Sequence, residues 1–186
     1  MLRPEAAAGG PLPLDAPGEH LWWPVAPLAR IEVDLAEPAL RFAGTGYHDA
    51  NAGAGPLEQT FHRWSWARAR TERRALVTYD VVERGGATRA LGIEVDERSS
   101  ATPLRGLAPA PLPATAWGLE RRVLADRGQP ARVVRGLEDG PFYARSLVEA
   151  RLGGRGVVAV HEQLDADRLT RGWVRFLTRF RMRRAA

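Results

Sequence analysis

The run Leu76-Val77-Thr78-Tyr79-Asp80-Val81-Val82-Glu83, then Arg84-Gly85-Gly86, then Thr88-Arg89-Ala90-Leu91-Gly92-Ile93-Glu94-Val95-Asp96 decides the fold. Two segments rich in β-branched and apolar residues flank a paired glycine, the pattern of a hairpin. Outward from it the same grammar repeats. Phe61–Arg70 carries Trp64 and Trp66 at period two, Arg30–Leu35 alternates polar and apolar, and a short strand follows at Ala39–Ala43. Towards the other end, strands are predicted over 118–125, 131–137, 142–152 and 157–164, divided by Gly128, Asp139-Gly140-Pro141 and Gly153-Gly154. About eight to ten short strands with turn punctuation predict an all-β, antiparallel sandwich or barrel.

The remaining segments read differently. Residues 1–19 hold Pro4, Pro11, Pro13, Pro17 and Gly9-Gly10 and are expected to form a flexible lead-in, with one domain over 20–186. Residues 99–116, rich in Ser, Thr and Pro, read as a long loop. A helix capped by Asp165 or Asp167 is expected to close the chain. It would put Leu169, Trp173, Phe176, Leu177 and Phe180 on one face and Arg168, Arg171, Arg175 and Arg179 on the other.

Composition narrows the chemistry. The 186 residues contain no cysteine, which excludes disulfides, thiolate metal sites and cysteine nucleophiles. The net charge is +5, all of the basic residues are Arg, and they are scattered except near the end. No nucleic-acid module accompanies them, so nucleic acid is not an expected partner. No apolar run reaches the roughly 18 residues of a membrane span. The first residues lack the order of a signal peptide, and a cytoplasmic location is expected. His62 and His161 lack ligand-spaced partners, so no metal is expected.

Two pairs at i, i+2 spacing carry candidate chemistry: His20 with Trp22, and Tyr47 with Asp49 inside Gly44-Thr45-Gly46-Tyr47-His48-Asp49-Ala50-Asn51. In an extended chain such residues share a face. If both faces line one interior, an acid, a phenol, an imidazole and an indole meet there. Trp23, Trp64 and Trp66 are candidate substrate-contacting walls. Alone, Asp49 reads more readily as an Asx turn, and Trp64 and Trp66 as ordinary core.

Several blocks resemble the carotenoid 1,2-hydratases, also called hydroxyneurosporene synthases. They are residues 46–53, Pro56-Leu57-Glu58, Phe61 through Ala69, Glu138 through Ser146, His161 through Asp165, Trp173-Val174 and Phe180-Arg181-Met182. The blocks span residues 20 to 184 in the family's order. The chain departs from the family at Ala54 and Gly55, where acidic residues are common. The resemblance implies a lipocalin-like β-barrel, with the family's amino-terminal barrel absent. A misplaced start, a truncated gene, a stand-alone half or a homo-oligomer would each account for that.

The resemblance also implies a function and a site. The family adds water to the terminal C1–C2 double bond of acyclic carotenoids of the neurosporene or lycopene type. Its His-x-Trp and Tyr-x-Asp pairs carry over to His20, Trp22, Tyr47 and Asp49. Protonating an alkene needs a carboxylic acid, and apolar surroundings favour the protonated form of a carboxyl group. Asp49 is the expected acid, oriented by Tyr47. Trp22 would face the tertiary cation, and His20 would take the proton lost by the attacking water. No cofactor is required. Alternatives of other kinds are a terpenoid cyclase- or isomerase-like relative, a non-catalytic domain binding a hydrophobic ligand, or an inactive fragment. An Arg-rich carboxy-terminal helix also suggests peripheral contact with the inner membrane.

Overall fold

The computed structural model describes residues 1–180. The chain begins with β1 (Leu2–Ala6) and β2 (Leu12–Pro13), followed by β3 (His20–Leu35) and β4 (Leu40–Gly53). These form one antiparallel sheet, with β1, β2 and β4 all paired to β3. After α1 (Leu57–Thr60) come β5 (Phe61–Arg70), β6 (Arg74–Glu83), β7 (Thr88–Asp96), β8 (Ala101–Pro103), β9 (Leu107–Leu112), β10 (Arg121–Asp126), β11 (Arg132–Asp139), β12 (Tyr143–Leu152) and β13 (Arg155–Asp165). Seven of these build the main antiparallel sheet in the order β11-β12-β13-β5-β6-β7-β8, while β9 and β10 form a separate two-stranded ribbon. The antiparallel, all-β class expected from the sequence is the class observed, its strands lying in three sheets among the described residues.

Alternation along β5 and β6 divides the interior into two cores. Trp66, Val77, Tyr79 and Val81 face the amino-terminal sheet and pack with Trp22, Leu28 and Phe61. Ala67, Ala69 and Leu76 face the other way, against Ala110, Leu112, Val123 and Ala125 of the β9–β10 ribbon. Period two places large aromatics on one face and small side chains on the other, so each cover lies on the face that suits it.

Three segments depart from expectation. Residues 1–19 are not a loose lead-in: β1 and β2 pair with β3, because β3 has a free edge that accepts a strand. The expected loop 99–116 contains β8 and β9. In β9 the alternation Ala110, Leu112 inward and Pro109, Pro111 outward suits an edge strand, where a missing N–H costs least. The terminal helix is two short pieces, α2 (Ala166–Leu169) and α3 (Gly172–Leu177). Asp165 caps α2 through the Arg168 N–H, as expected. Arg171 is extended and Gly172, a weak helix former, follows, which interrupts the helix. The expected apolar stripe is not docked: Val174 is buried, whereas Trp173, Phe176 and Phe180 are exposed. Residues 181–186, including Arg181, Met182, Arg183 and Arg184, lie outside the described residues.

On the ribbon side sits a buried histidine. His161 is wholly enclosed, with Nε2 2.9 Å from the Arg122 carbonyl and 3.2 Å from Ser65 Oγ, and Nδ1 3.4 Å from Ser146 Oγ. Burial pushes it down to about 4, against the pull of the Arg122 carbonyl. The unfolded chain therefore binds a proton at this site that the folded chain refuses. Stability from this group is full above about 6.5 and is lost as pH falls through that value towards 4. We predict lower urea midpoints at pH 5 than at pH 7.5, with about 2 kcal/mol from this group. The His161→Gln variant should show a smaller pH dependence, and equal pH dependence in both proteins would refute the assignment.

Candidate active site

The site begins at two prolines. Pro24 and Pro27 have no N–H to give to a neighbouring strand, and the β3–β4 ladder shifts register at both places. Trp23 pairs with Ala50, Ala26 with His48 and Ala29 with Gly46, so Pro24-Val25 stand opposite Asp49 alone and Pro27-Leu28 opposite Tyr47 alone. Each is a two-against-one bulge, which re-aims the side chain of the single residue. Arg68 of β5 reaches across and donates Nη2 to the carbonyls of Pro27 at 3.2 Å and Gly46 at 3.0 Å. Its guanidinium also lies 5.4 Å from the centre of the Tyr47 ring. Burial pulls Arg68 below its ordinary value, as does the charge of Arg70.

Tyr47 and Asp49 share a face, as their spacing requires, and converge with Trp22. Tyr47 Oη and Trp22 Nε1 each donate to Asp49 Oδ2, both at 3.0 Å. Trp22 is fully buried, whereas Tyr47 and Asp49 are half-buried. Burial first, and the Asp49 charge second, push the Tyr47 phenol above its ordinary value, so it keeps its proton as a donor.

Around this triad stand aromatic rings. Trp66 lies 5.1 Å from Tyr47, and Tyr79 lies 5.3 Å from Trp22 and 5.7 Å from Trp64. Trp64 and Trp66 therefore join the site at the face expected from their spacing. Tyr79 was not singled out by the sequence, although it stands at period two with Val77 and Val81. Its phenol is also pushed up, first by burial and then by Asp49 and Glu162.

Two expected members are placed differently. Trp23 alternates to the opposite face, is 43% exposed and donates its indole N–H to the Gly9 carbonyl at 2.9 Å, so it lines no part of the triad. His20 shares the inward face of β3 with Trp22 but bonds Asp15 rather than Asp49: its Nδ1 lies 2.9 Å from Asp15 Oδ2. His48 points outward and His62 pairs with Asp167 at 2.8 Å. Among the described residues no three His, Asp or Glu side chains gather as a metal-binding group. Asp15 was missed because nothing in the Pro-rich segment marks it, and only the folded strand pairing brings it to His20.

The acyclic carotenoid 1,2-hydratase of Thiocapsa roseopersicina is 42% identical over 182 residues, covering 97% of this chain and 45% of that protein. The acyclic carotenoid 1,2-hydratase of Rubrivivax gelatinosus is 37% identical, covering 93% of this chain and 43% of that protein. The chain thus spans a little under half the length of these two curated relatives. A crystal structure of a putative AttH from Nitrosomonas europaea superposes with a TM-score of 0.60 over 89% of this chain and 59% of that one, at 13% identity, a likeness of fold. The family model described as carotenoid hydratase CrtC matches residues 1–186. On that match and on the two hydratase relatives, the chain belongs to the carotenoid hydratase family.

Proposed function

We propose that this chain carries the active site of an acyclic carotenoid 1,2-hydratase, a hydro-lyase that adds water across the terminal C1–C2 double bond. The observation that supports it most is the Asp49 carboxyl group with both donors on one oxygen. With Trp22 and Tyr47 on Oδ2, Oδ1 is the oxygen that carries the acidic proton. Transfer of that proton to C2 leaves a tertiary cation at C1 and a carboxylate on Asp49. The two donors stabilise that carboxylate as it forms, which lowers the barrier. The rings of Trp22, Tyr79 and Trp64 offer the negative faces that a carbocation needs, worth about 2 kcal/mol each when desolvated. Water adds to C1, its surplus proton passes to His20, and Asp49 regains a proton from solvent. The sum is alkene plus water to tertiary alcohol, with no redox change.

Collection of so apolar a substrate points to a lipid surface. Trp117 and Trp173 stack at 6.2 Å, and Phe176 and Phe180 meet at 5.1 Å, all four exposed. Arg171 and Arg179 lie beside them, whereas Arg175 is paired with Glu58 and Arg168 is held by carbonyls. Exposed aromatics within a basic surface suit an anionic bilayer. Among the described residues no helix is long and apolar enough to cross a membrane.

Three measurements test this reading. In a host accumulating acyclic carotenoids, Asp49→Asn should cut hydroxylated pigment at least about 100-fold with the fold retained; wild-type pigment levels would remove Asp49 as the acid. Trp22→Leu, which loses ring and donor, should slow turnover about 30-fold or more. Trp22→Phe, which keeps the ring, should be less severe, and equal losses would reduce Trp22 to packing. In sedimentation, the protein should bind anionic liposomes at low salt and leave them at about 0.5 M salt, where screening is nearly complete. Replacing Trp173 and Phe176 by Ser should abolish that binding, and unchanged binding would disprove the lipid contact.

A further inference from the structure

Asp15 is a carboxylate that the triad does not use. It is 1% exposed, yet it sits in a Pro-rich segment between β2 and β3. Both of its oxygens are spent on one residue: Oδ1 accepts the His20 backbone N–H at 3.0 Å, and Oδ2 lies 2.9 Å from His20 Nδ1. Burial alone would push this carboxyl up, but the His20 N–H and ring outweigh it and hold the group below its ordinary value.

The ring of His20 is fixed on its other sides as well. Phe61 meets it edge-on at 5.1 Å. Gly53 lies opposite His20 in the β3–β4 ladder, and a Cβ there would come within 2.8 Å of Nε2, so the ring occupies the space a side chain would need. Among the described residues, Nε2 has only long approaches, 3.4 Å to the Gly55 carbonyl and 3.5 Å to Thr60 Oγ1. One nitrogen is therefore tightly bound and the other loosely held, next along the strand face from Trp22.

We propose that Asp15 is a positioning residue that fixes the ring of His20 with its proton on Nδ1, so that Nε2 is the atom presented to the site. The chemical consequence rests on the hydratase reading; the geometry does not. In that reaction the oxonium formed when water adds to C1 gives its proton to Nε2. The imidazolium so formed is stabilised by the Asp15 carboxylate and returns the proton to solvent. Such an outer carboxylate typically changes rate by about 10- to 100-fold when removed.

The test is Asp15→Asn in the whole chain, read two ways. In protein labelled with ¹⁵N-histidine, His20 should carry a protected proton on Nδ1, assigned by its loss in His20→Gln. In Asp15→Asn the new amide donates to Nδ1, and the proton should move to Nε2. In pigment-hydration kinetics, kcat should fall at least about tenfold with KM changed less than about twofold. An unmoved proton, or an unchanged kcat, overturns the proposal. Should Asp15→Asn fail to fold, the wild-type spectrum still decides, since absence of a proton on Nδ1 overturns it. Gly53→Ala gives a second variant: it displaces the ring without removing any polar group and should lower kcat likewise, and full activity with a displaced ring would contradict the role. A chain that shows the proton switch but hydrates no acyclic carotenoid supports the placement of Asp15 and refutes the hydratase reading instead.

Discussion

Proline has no amide hydrogen, and the arrangement of the candidate site depends on that. In a long antiparallel hairpin every inward residue would otherwise be locked opposite a partner. Pro24 and Pro27 break the ladder twice within five residues, and each break leaves one β4 residue facing two on β3. Those two single residues are Asp49 and Tyr47. The carbonyls of Pro27 and Gly46 are answered by Arg68, a cation brought from a different sheet. A half-buried guanidinium is tolerated here because it serves two carbonyls and one aromatic face at once.

The central strand β5 carries this arrangement. Its alternation sends Trp64 and Trp66 into the aromatic cluster around the triad, and Ser65, Ala67 and Ala69 to the other face. The same strand thus supports the site on one face and a polar, histidine-containing seam on the other. Arg68 and Arg70 both bind the backbone of β3 from β5, and Arg70 also pairs with Glu5 of β1 at 2.8 Å. The amino-terminal sheet is thereby fastened to the main sheet by side chains rather than by strand pairing.

Under the proposed reading, the polar groups around the triad divide the work of a proton transfer. Neutral donors of an indole and a phenol meet one oxygen of a carboxyl group, and a separate buried carboxylate meets one nitrogen of an imidazole. Acid and base are kept on different partners, so neither quenches the other through a direct ion pair. The phenols of Tyr47 and Tyr79 are both driven by burial towards their neutral forms, which keeps them donors and ring faces.

Local pattern settled much of this molecule. Period-two runs with glycine turns determined the strands from β5 to β7 and from β10 to β13, and the i, i+2 spacing put Tyr47 with Asp49 and Trp64 with Trp66, because pleating alone decides which side chains share a face. The block resemblance pointed to the family for the same reason that it is local: it reads residue types in order. Everything that needed two distant segments was decided only by tertiary structure. The pairing of β1 and β2 on the edge of β3 turned an expected lead-in into sheet and carried Asp15 to His20. Tyr79 entered the site because β6 packs beside β5. The terminal helix broke where an extended Arg171 and Gly172 met a surface that buries only Val174. Strand register and hydrogen-bond partners across many residues are properties of the packed whole, and spacing along one chain cannot encode them.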